Sequence, residues 1–212
     1  MFTDFVEIYQ TNLDCQKIID WFNINKELQG QGVISEDNKI CVKIDKKNTT
    51  DISLSLAKVK NDTSLSEIFY PLFLNLKGAF EQYIKKYNIL DDVKIEIDDK
   101  FNIQHYKNKQ HFKKFHFESS GSKHRKRILT WMIYLNDVPN GGHTVFPYYN
   151  YTIQPIKGHI LIWPAEFTHT HFGDTVIDEK YIATGWFNLL DSDDYFSEQI
   201  KTLNEEPIYF NV

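Results

Sequence analysis

Two short stretches of this sequence carry side chains whose types and spacing suit metal chemistry. In KKFHFESSG, His116 and Glu118 lie two residues apart, and in WPAEFTHTHFG so do His169 and His171. On an extended strand, residues i and i+2 project from one face, so each stretch can offer two donors to one ion. Two neutral imidazole nitrogens and one carboxylate oxygen suit non-haem Fe(II), with cis positions left for oxygen and a chelating co-substrate. A zinc hydrolase can use the same atoms plus a water, so donor type alone leaves the metal open. Taken singly, each histidine also has a plainer reading as a hydrogen-bonding core or surface side chain.

A third stretch, KYIATGWF, begins nine residues after His171 with Lys180. Lys180, Ile182, Thr184 and Trp186 share one strand parity, which puts an ammonium on a face that otherwise lines a pocket. A buried ammonium is costly unless paired. Its partner could be Glu118, Asp174 or a carboxylate brought by a ligand, and a strand-end lysine facing water is the plainer alternative. Thr130, Met132 and Tyr134 likewise share one face of ILTWMIYL, with Tyr134 readable as a core tyrosine. Trp131 and Trp186 are read as packing residues.

These side chains need a scaffold, and 212 residues with 42% hydrophobic and 25% charged content support one folded unit. The chain shows no repeat, low-complexity linker or long block of one charge, so a single domain over 1–212 is expected, with 1–92 supporting and 93–190 carrying the site. After Asp14 as N-cap, Cys15, Ile18, Ile19 and Phe22 predict a helix running to about Leu28. Gly30 and Gly32 read as a turn, and VISEDNKICVKI as a strand or hairpin. A second helix is expected near Ser64, where Ser64 and Glu67 have capping-box spacing, with Pro71 marking a kink or a later start. From Val93 the texture changes to VKIEI, FNIQHY, ILTWMIYL, YTIQPI, HILIW and YIATGWF, divided by DD, NG, GG, KG and FG turns. The fold class is therefore mainly β with flanking helices. Doubly wound and (β/α)₈ folds are poor candidates, because parallel strands need long crossovers.

The formal net charge of −5 argues against coating nucleic acid by bulk charge. Between Lys107 and Arg127, however, Lys107, Lys109, Lys113, Lys114, Lys123, Arg125, Lys126 and Arg127 face the single acid Glu118. That run reads as a solvated loop, or as a guide for an anionic substrate. Gly141 and Gly142 read as a tight turn, and no phosphate-binding loop occurs. Cys15 and Cys41 form no CxxC pair, which favours a reduced, cytoplasmic setting. The N-terminal stretch places acids where a leader needs a basic head, and no span has the apolar length of a membrane helix.

The ordered run HFE, KRILTWMIYLNDVPNGGHTVFP, IQPIKGHILIWP, HTHFG and KYIATGW resembles the prolyl 4-hydroxylase type of 2-oxoglutarate and Fe(II)-dependent dioxygenases, over about Phe101 to Phe187. The resemblance implies a double-stranded β-helix (jelly roll) core. It assigns iron to His116, Glu118 and His171, and the far carboxylate of 2-oxoglutarate to Lys180. Tyr134, Tyr106 and Thr184 match positions that line the co-substrate in relatives. It further implies a hydroxylase of a prolyl or other amino-acid residue, free or peptidyl, with ascorbate as a supporting reductant. The family usually has Asp where this chain has Glu118. His169 competes with His171 for the third ligand, and the register to Lys180 prefers His171. Alternatives are a non-catalytic metal- or carboxylate-binding jelly-roll module, a metal hydrolase or isomerase, and an oxygenase acting on nucleic acid. Oligomeric state is not legible.

Overall fold

The computed structural model describes residues 4–36 and 39–190. Asp37 and Asn38 of the expected hairpin, and residues 191–212 of the expected domain, lie outside the described residues. In chain order the first half contains β1 (Glu7–Gln10), α1 (Cys15–Ile24), β2 (Gly30–Gln31), β3 (Ile34–Glu36), β4 (Lys39–Cys41), β5 (Lys47–Asn48), β6 (Thr50–Ser55), α2 (Leu56–Asn61) and α3 (Thr63–Lys86). The second half is β7 (Ile95–Tyr106), β8 (His111–His116), β9 (Arg127–Tyr134), β10 (Thr144–Phe146), β11 (Tyr151–Ile153), β12 (His159–Pro164), β13 (His171–Gly173) and β14 (Lys180–Leu189).

The strands form a seven-stranded sheet, ordered β1-β12-β9-β14-β7-β6-β2, and a five-stranded sheet, ordered β11-β10-β13-β8-β5, with β3 and β4 paired by themselves. Alternation along the large sheet feeds two cores. Leu129, Trp131 and Ile133 of β9, Ile160 and Ile162 of β12, and Phe101 and Ile103 of β7 pack on one face against Ile18 and Phe22 of α1 and Phe69, Phe73 and Phe80 of α3. Met132, Tyr134, Leu161, Trp163, Tyr106 and Ile182 fill the other face, toward Phe146, Ile153 and Phe112 of the small sheet. Because both faces are covered, the large sheet's strands read as nearly continuous apolar runs. The helices thus buttress one outer face, as the sequence led us to expect.

Four local expectations are corrected. α1 ends at Ile24, and a separate 3₁₀ turn covers Lys26–Leu28. Gly30 is strand, paired with Asp51 of β6, and the Gly32 amide donates to the Thr49 carbonyl. α3 is capped by Asp62, which accepts from the Ser64 and Leu65 amides, so Ser64 lies inside the helix; the helix runs on through Pro71. The DD of Asp98 and Asp99 is no turn. On β14, Gly185 opposes Phe101 and Phe187 opposes Ile97, so residues 98–100 are absorbed as a bulge within one long β7.

Gly185 sits where β14 passes beneath a fully buried ring: a Cβ there would meet Trp131 Cζ2 at 2.6 Å and Cε2 at 2.8 Å. Trp131 has no room to retreat, so Gly185→Ala should lower stability by about 1–3 kcal/mol through overpacking. Chemical denaturation would check this. An unchanged midpoint would mean that the β9–β14 contact is looser than drawn.

Candidate metal centre

β8 and β13 are antiparallel neighbours, and their register places His116 directly opposite His171, 55 positions along the chain. Glu118 follows β8 in a turn whose Glu118 and Ser119 amides both donate to the Ala165 carbonyl, at 3.0 Å each. The result is convergence: His116, Glu118 and His171 each offer a ligand atom within 4.8 Å of the others. Glu118 Oε1 lies 3.5 Å from Nε2 of both histidines. Aromatic rings hold the imidazoles, with Phe112 stacked on His116 at 4.0 Å and Trp163 edge-on to His171 at 5.1 Å.

The protonation pattern follows from the other ring nitrogens. His116 Nδ1 is 2.7 Å from the Lys114 carbonyl and His171 Nδ1 is 2.9 Å from the His169 carbonyl. A carbonyl only accepts, so in the neutral imidazoles Nδ1 carries the hydrogen and both Nε2 lone pairs face Glu118. Burial, and then the neighbouring His171, hold the His116 pKa below its ordinary value, which favours the neutral ring. For Glu118, burial works against ionisation, but the two imidazoles, by hydrogen bond and charge whenever an Nε2 is protonated, outweigh it and keep its carboxyl well below the usual range. Two lone pairs and a carboxylate therefore point at one another in a largely buried setting. Such a trio is mutually repulsive unless a cation joins it, and the donor set fits a divalent transition metal.

His169 is excluded from the trio. It ends a 3₁₀ turn, Phe167–His169, rather than an extended segment, and its Nε2 donates to the Asp4 carbonyl at 2.7 Å.

Lys180 opens β14 opposite Tyr106 and is 4% exposed. Its ammonium donates to the Gly142 carbonyl at 2.6 Å and stands 5.4 and 5.3 Å from the ring centres of Tyr106 and Tyr134. Burial lowers its pKa to about 8, with the charge of Asp174 partly opposing that shift. Tyr134 donates to Thr144 Oγ1 and Tyr106 to Gln104 Oε1, both at 2.7 Å. Burial raises both phenol pKa values, so both stay neutral donors. Thr184 turns its hydroxyl to the Trp131 carbonyl at 2.9 Å. Gly141 and Gly142 both have positive φ, but in place of the expected tight turn Gly141 bridges to Val176 and the Gly142 amide donates to the Thr175 carbonyl; the Gly142 carbonyl accepts from Lys180.

Sequence reasoning missed Thr144, Gln104 and the second role of Trp186. Thr144 and Gln104 sit in segments without a distinctive donor pattern. Trp186 packs as expected, but its indole N–H also donates to Glu118 Oε2 at 2.9 Å. Arg127, counted only as part of a cation run, covers the Trp186 ring at 3.4 Å.

The family profile described as the 2OG-Fe(II) oxygenase superfamily matches residues 101–188, which hold the trio and Lys180. That segment is similar to the 2OG-Fe(II) oxygenase superfamily. The chain is 26% identical to the probable prolyl 4-hydroxylase 7 of Arabidopsis thaliana, across 52% of its own length and 44% of the plant protein. It thus spans less than half the length of that curated relative. Among solved structures, it superposes on a Trichoplax adhaerens prolyl hydroxylase in complex with a hypoxia inducible factor peptide fragment with a TM-score of 0.66. That match has 16% identity and covers 96% of this chain and 89% of the other. The collagen prolyl hydroxylase of Paramecium bursaria Chlorella virus-1, in its 2-oxoglutarate complex, gives a TM-score of 0.62 at 18% identity, covering 88% and 97%. At these identities the superpositions speak for a shared fold: mainly β, with flanking helices. Among the described residues, no helix is long and apolar enough to cross a membrane.

Proposed function

We propose that this chain is a 2-oxoglutarate- and Fe(II)-dependent dioxygenase that hydroxylates a prolyl or other amino-acid residue, free or in a polypeptide. The observation carrying this reading is the mutual approach of the His116 and His171 lone pairs and the Glu118 carboxylate. His116, Glu118 and His171 would hold the iron. When bound, it would supply the redox chemistry by which 2-oxoglutarate, dioxygen and a C–H bond give succinate, carbon dioxide and an alcohol.

The protein's own part is positioning. The Nδ1 bonds fix the ligating tautomer, so neither histidine is available as a general base. Lys180 would pair with the far carboxylate of the co-substrate. Tyr134, Tyr106 and Thr184 would line that pocket, and Thr144 joins them because its buried hydroxyl already meets Tyr134. The two facing sheets agree with a double-stranded β-helix core, and residues 93–190 carry the site within one domain. A peptide substrate is favoured by the peptide-bound Trichoplax relative. The two free cysteines fit a cytoplasmic setting, with ascorbate as a supporting reductant.

The test couples oxygen-dependent decarboxylation of 2-oxoglutarate to mass detection of a product heavier by one oxygen atom, in peptide, amino-acid and nucleic-acid pools. Stimulation by a proline-containing peptide supports the reading. Product on nucleic acid alone overturns the substrate class. Activity that persists without oxygen or 2-oxoglutarate selects a hydrolase or isomerase.

Lys180 adds a pH prediction. A carboxylate partner needs the ammonium, which is present below pH 8 in the free protein and lost as pH rises past it. Affinity for 2-oxoglutarate should therefore hold from pH 6.5 to 7.5 and be about tenfold weaker at pH 9 than at pH 7. Isothermal titration of metal-loaded protein would measure it, with Lys180→Arg as the variant expected to remove the decline. A flat wild-type profile would separate Lys180 from the co-substrate.

A further inference from the structure

Glutamate at position 118 poses a problem of its own. It has one more rotatable bond than an aspartate would. Its carboxylate can therefore turn both oxygens toward an ion and fill a position that the co-substrate or oxygen needs. The structure shows the two oxygens already divided. Oε1 faces Nε2 of both histidines, at 3.5 Å each. Oε2 turns the other way and accepts the Trp186 indole hydrogen at 2.9 Å.

The indole is itself held in place. The Arg127 guanidinium lies 3.4 Å from the Trp186 ring centre, donates through Nη1 to the Glu118 main-chain carbonyl at 3.2 Å, and stands 3.6 Å from Oε2. On its far side, Arg127 Nε is 4.0 Å from Asp98 Oδ2, in the bulge of β7. Three neighbouring strands thus contribute to one clamp, and the bulge acquires a use. An indole N–H can only donate, so it selects a carboxylate oxygen and keeps it.

We propose that Trp186, buttressed by Arg127, is a positioning residue that reserves Glu118 Oε2 and leaves Oε1 alone for the metal, so that the longer acid does not chelate it and block the co-substrate. This rests on the metal-binding reading above.

Trp186→Phe keeps a ring beneath Arg127 and removes only the N–H. With Co(II) as the probe metal, this variant should bind 2-oxoglutarate about 10- to 100-fold more weakly while its Co(II) affinity holds or rises. A merely structural role would lower both affinities together, and that outcome, or no change in either, overturns the proposal. The wild-type protein gives a second measurement that does not depend on the variant folding. The Trp186 indole resonance, assigned by labelling, should stay downfield and slow to exchange when Zn(II) is added; its loss would show Oε2 moving to the ion and would also overturn the proposal. If wild-type protein binds neither ion, the metal centre itself fails and the clamp's proposed role with it. If metal binds normally but the affinities fall together, only the clamp fails.

Discussion

Replacing His171 by alanine should eliminate tight Fe(II) binding and, with it, 2-oxoglutarate turnover. His171 supplies one of only three side-chain donors that converge among the described residues. Its loss leaves an imidazole and a carboxylate, too few to hold a divalent ion against water. Groups that merely orient ligands already change metal affinity by about 10- to 100-fold, so loss of a ligand should exceed that range. Anaerobic addition of Fe(II) and 2-oxoglutarate to wild-type protein should give a visible metal-to-ligand charge-transfer band, absent from His171→Ala. His169 offers no substitute, because its Nε2 is committed to the Asp4 carbonyl on the far side of a 3₁₀ turn. His169→Ala should therefore retain the band. A band that survives His171→Ala and vanishes in His169→Ala would reverse the assignment.

Lys180→Met should give the other large effect, confined to the co-substrate. The side chain is almost fully buried, and its ammonium has one close hydrogen-bond acceptor, the Gly142 carbonyl. A dicarboxylate entering this pocket gains a desolvated ion pair, and removing one partner of such a pair costs about 3–5 kcal/mol, or about 10²- to 4 × 10³-fold in affinity. Met is similar in length and apolar, so the fold should tolerate it and gain slightly from no longer burying a charge. Direct titration of 2-oxoglutarate into metal-loaded protein would check the expected loss, with metal affinity unchanged. Equal 2-oxoglutarate affinity in wild type and Lys180→Met would place the far carboxylate elsewhere.

Much of the molecule was legible before folding was considered. Richness in β-branched and aromatic residues marks ILTWMIYL and KYIATGWF as strands, and strand parity groups Tyr134 with Thr130 and Met132, and Lys180 with Ile182 and Thr184, because side chains on a pleated strand can point only two ways. Helix ends were less legible. Ser64 with Glu67 mimics a capping box, yet Asp62 reaches the Ser64 and Leu65 amides first. Asp98-Asp99 resembles a turn, but a strand paired on both sides continues through it by bulging.

For the site, donor types and spacing were enough to nominate His116, Glu118 and Lys180 and to narrow the third ligand to two histidines. Those are properties of single strands, set by local geometry. The family resemblance, through the interval to Lys180, already preferred His171 over His169; the geometric reason lay in the register of β13 against β8, a pairing of residues distant along the chain. The same holds for the Thr144 hydroxyl beside Tyr134, the Gly142 carbonyl on Lys180 and the Trp186 indole on Glu118. Each joins strands that become neighbours only when the two sheets close around a common interior, and no spacing within one segment encodes which atoms will meet there.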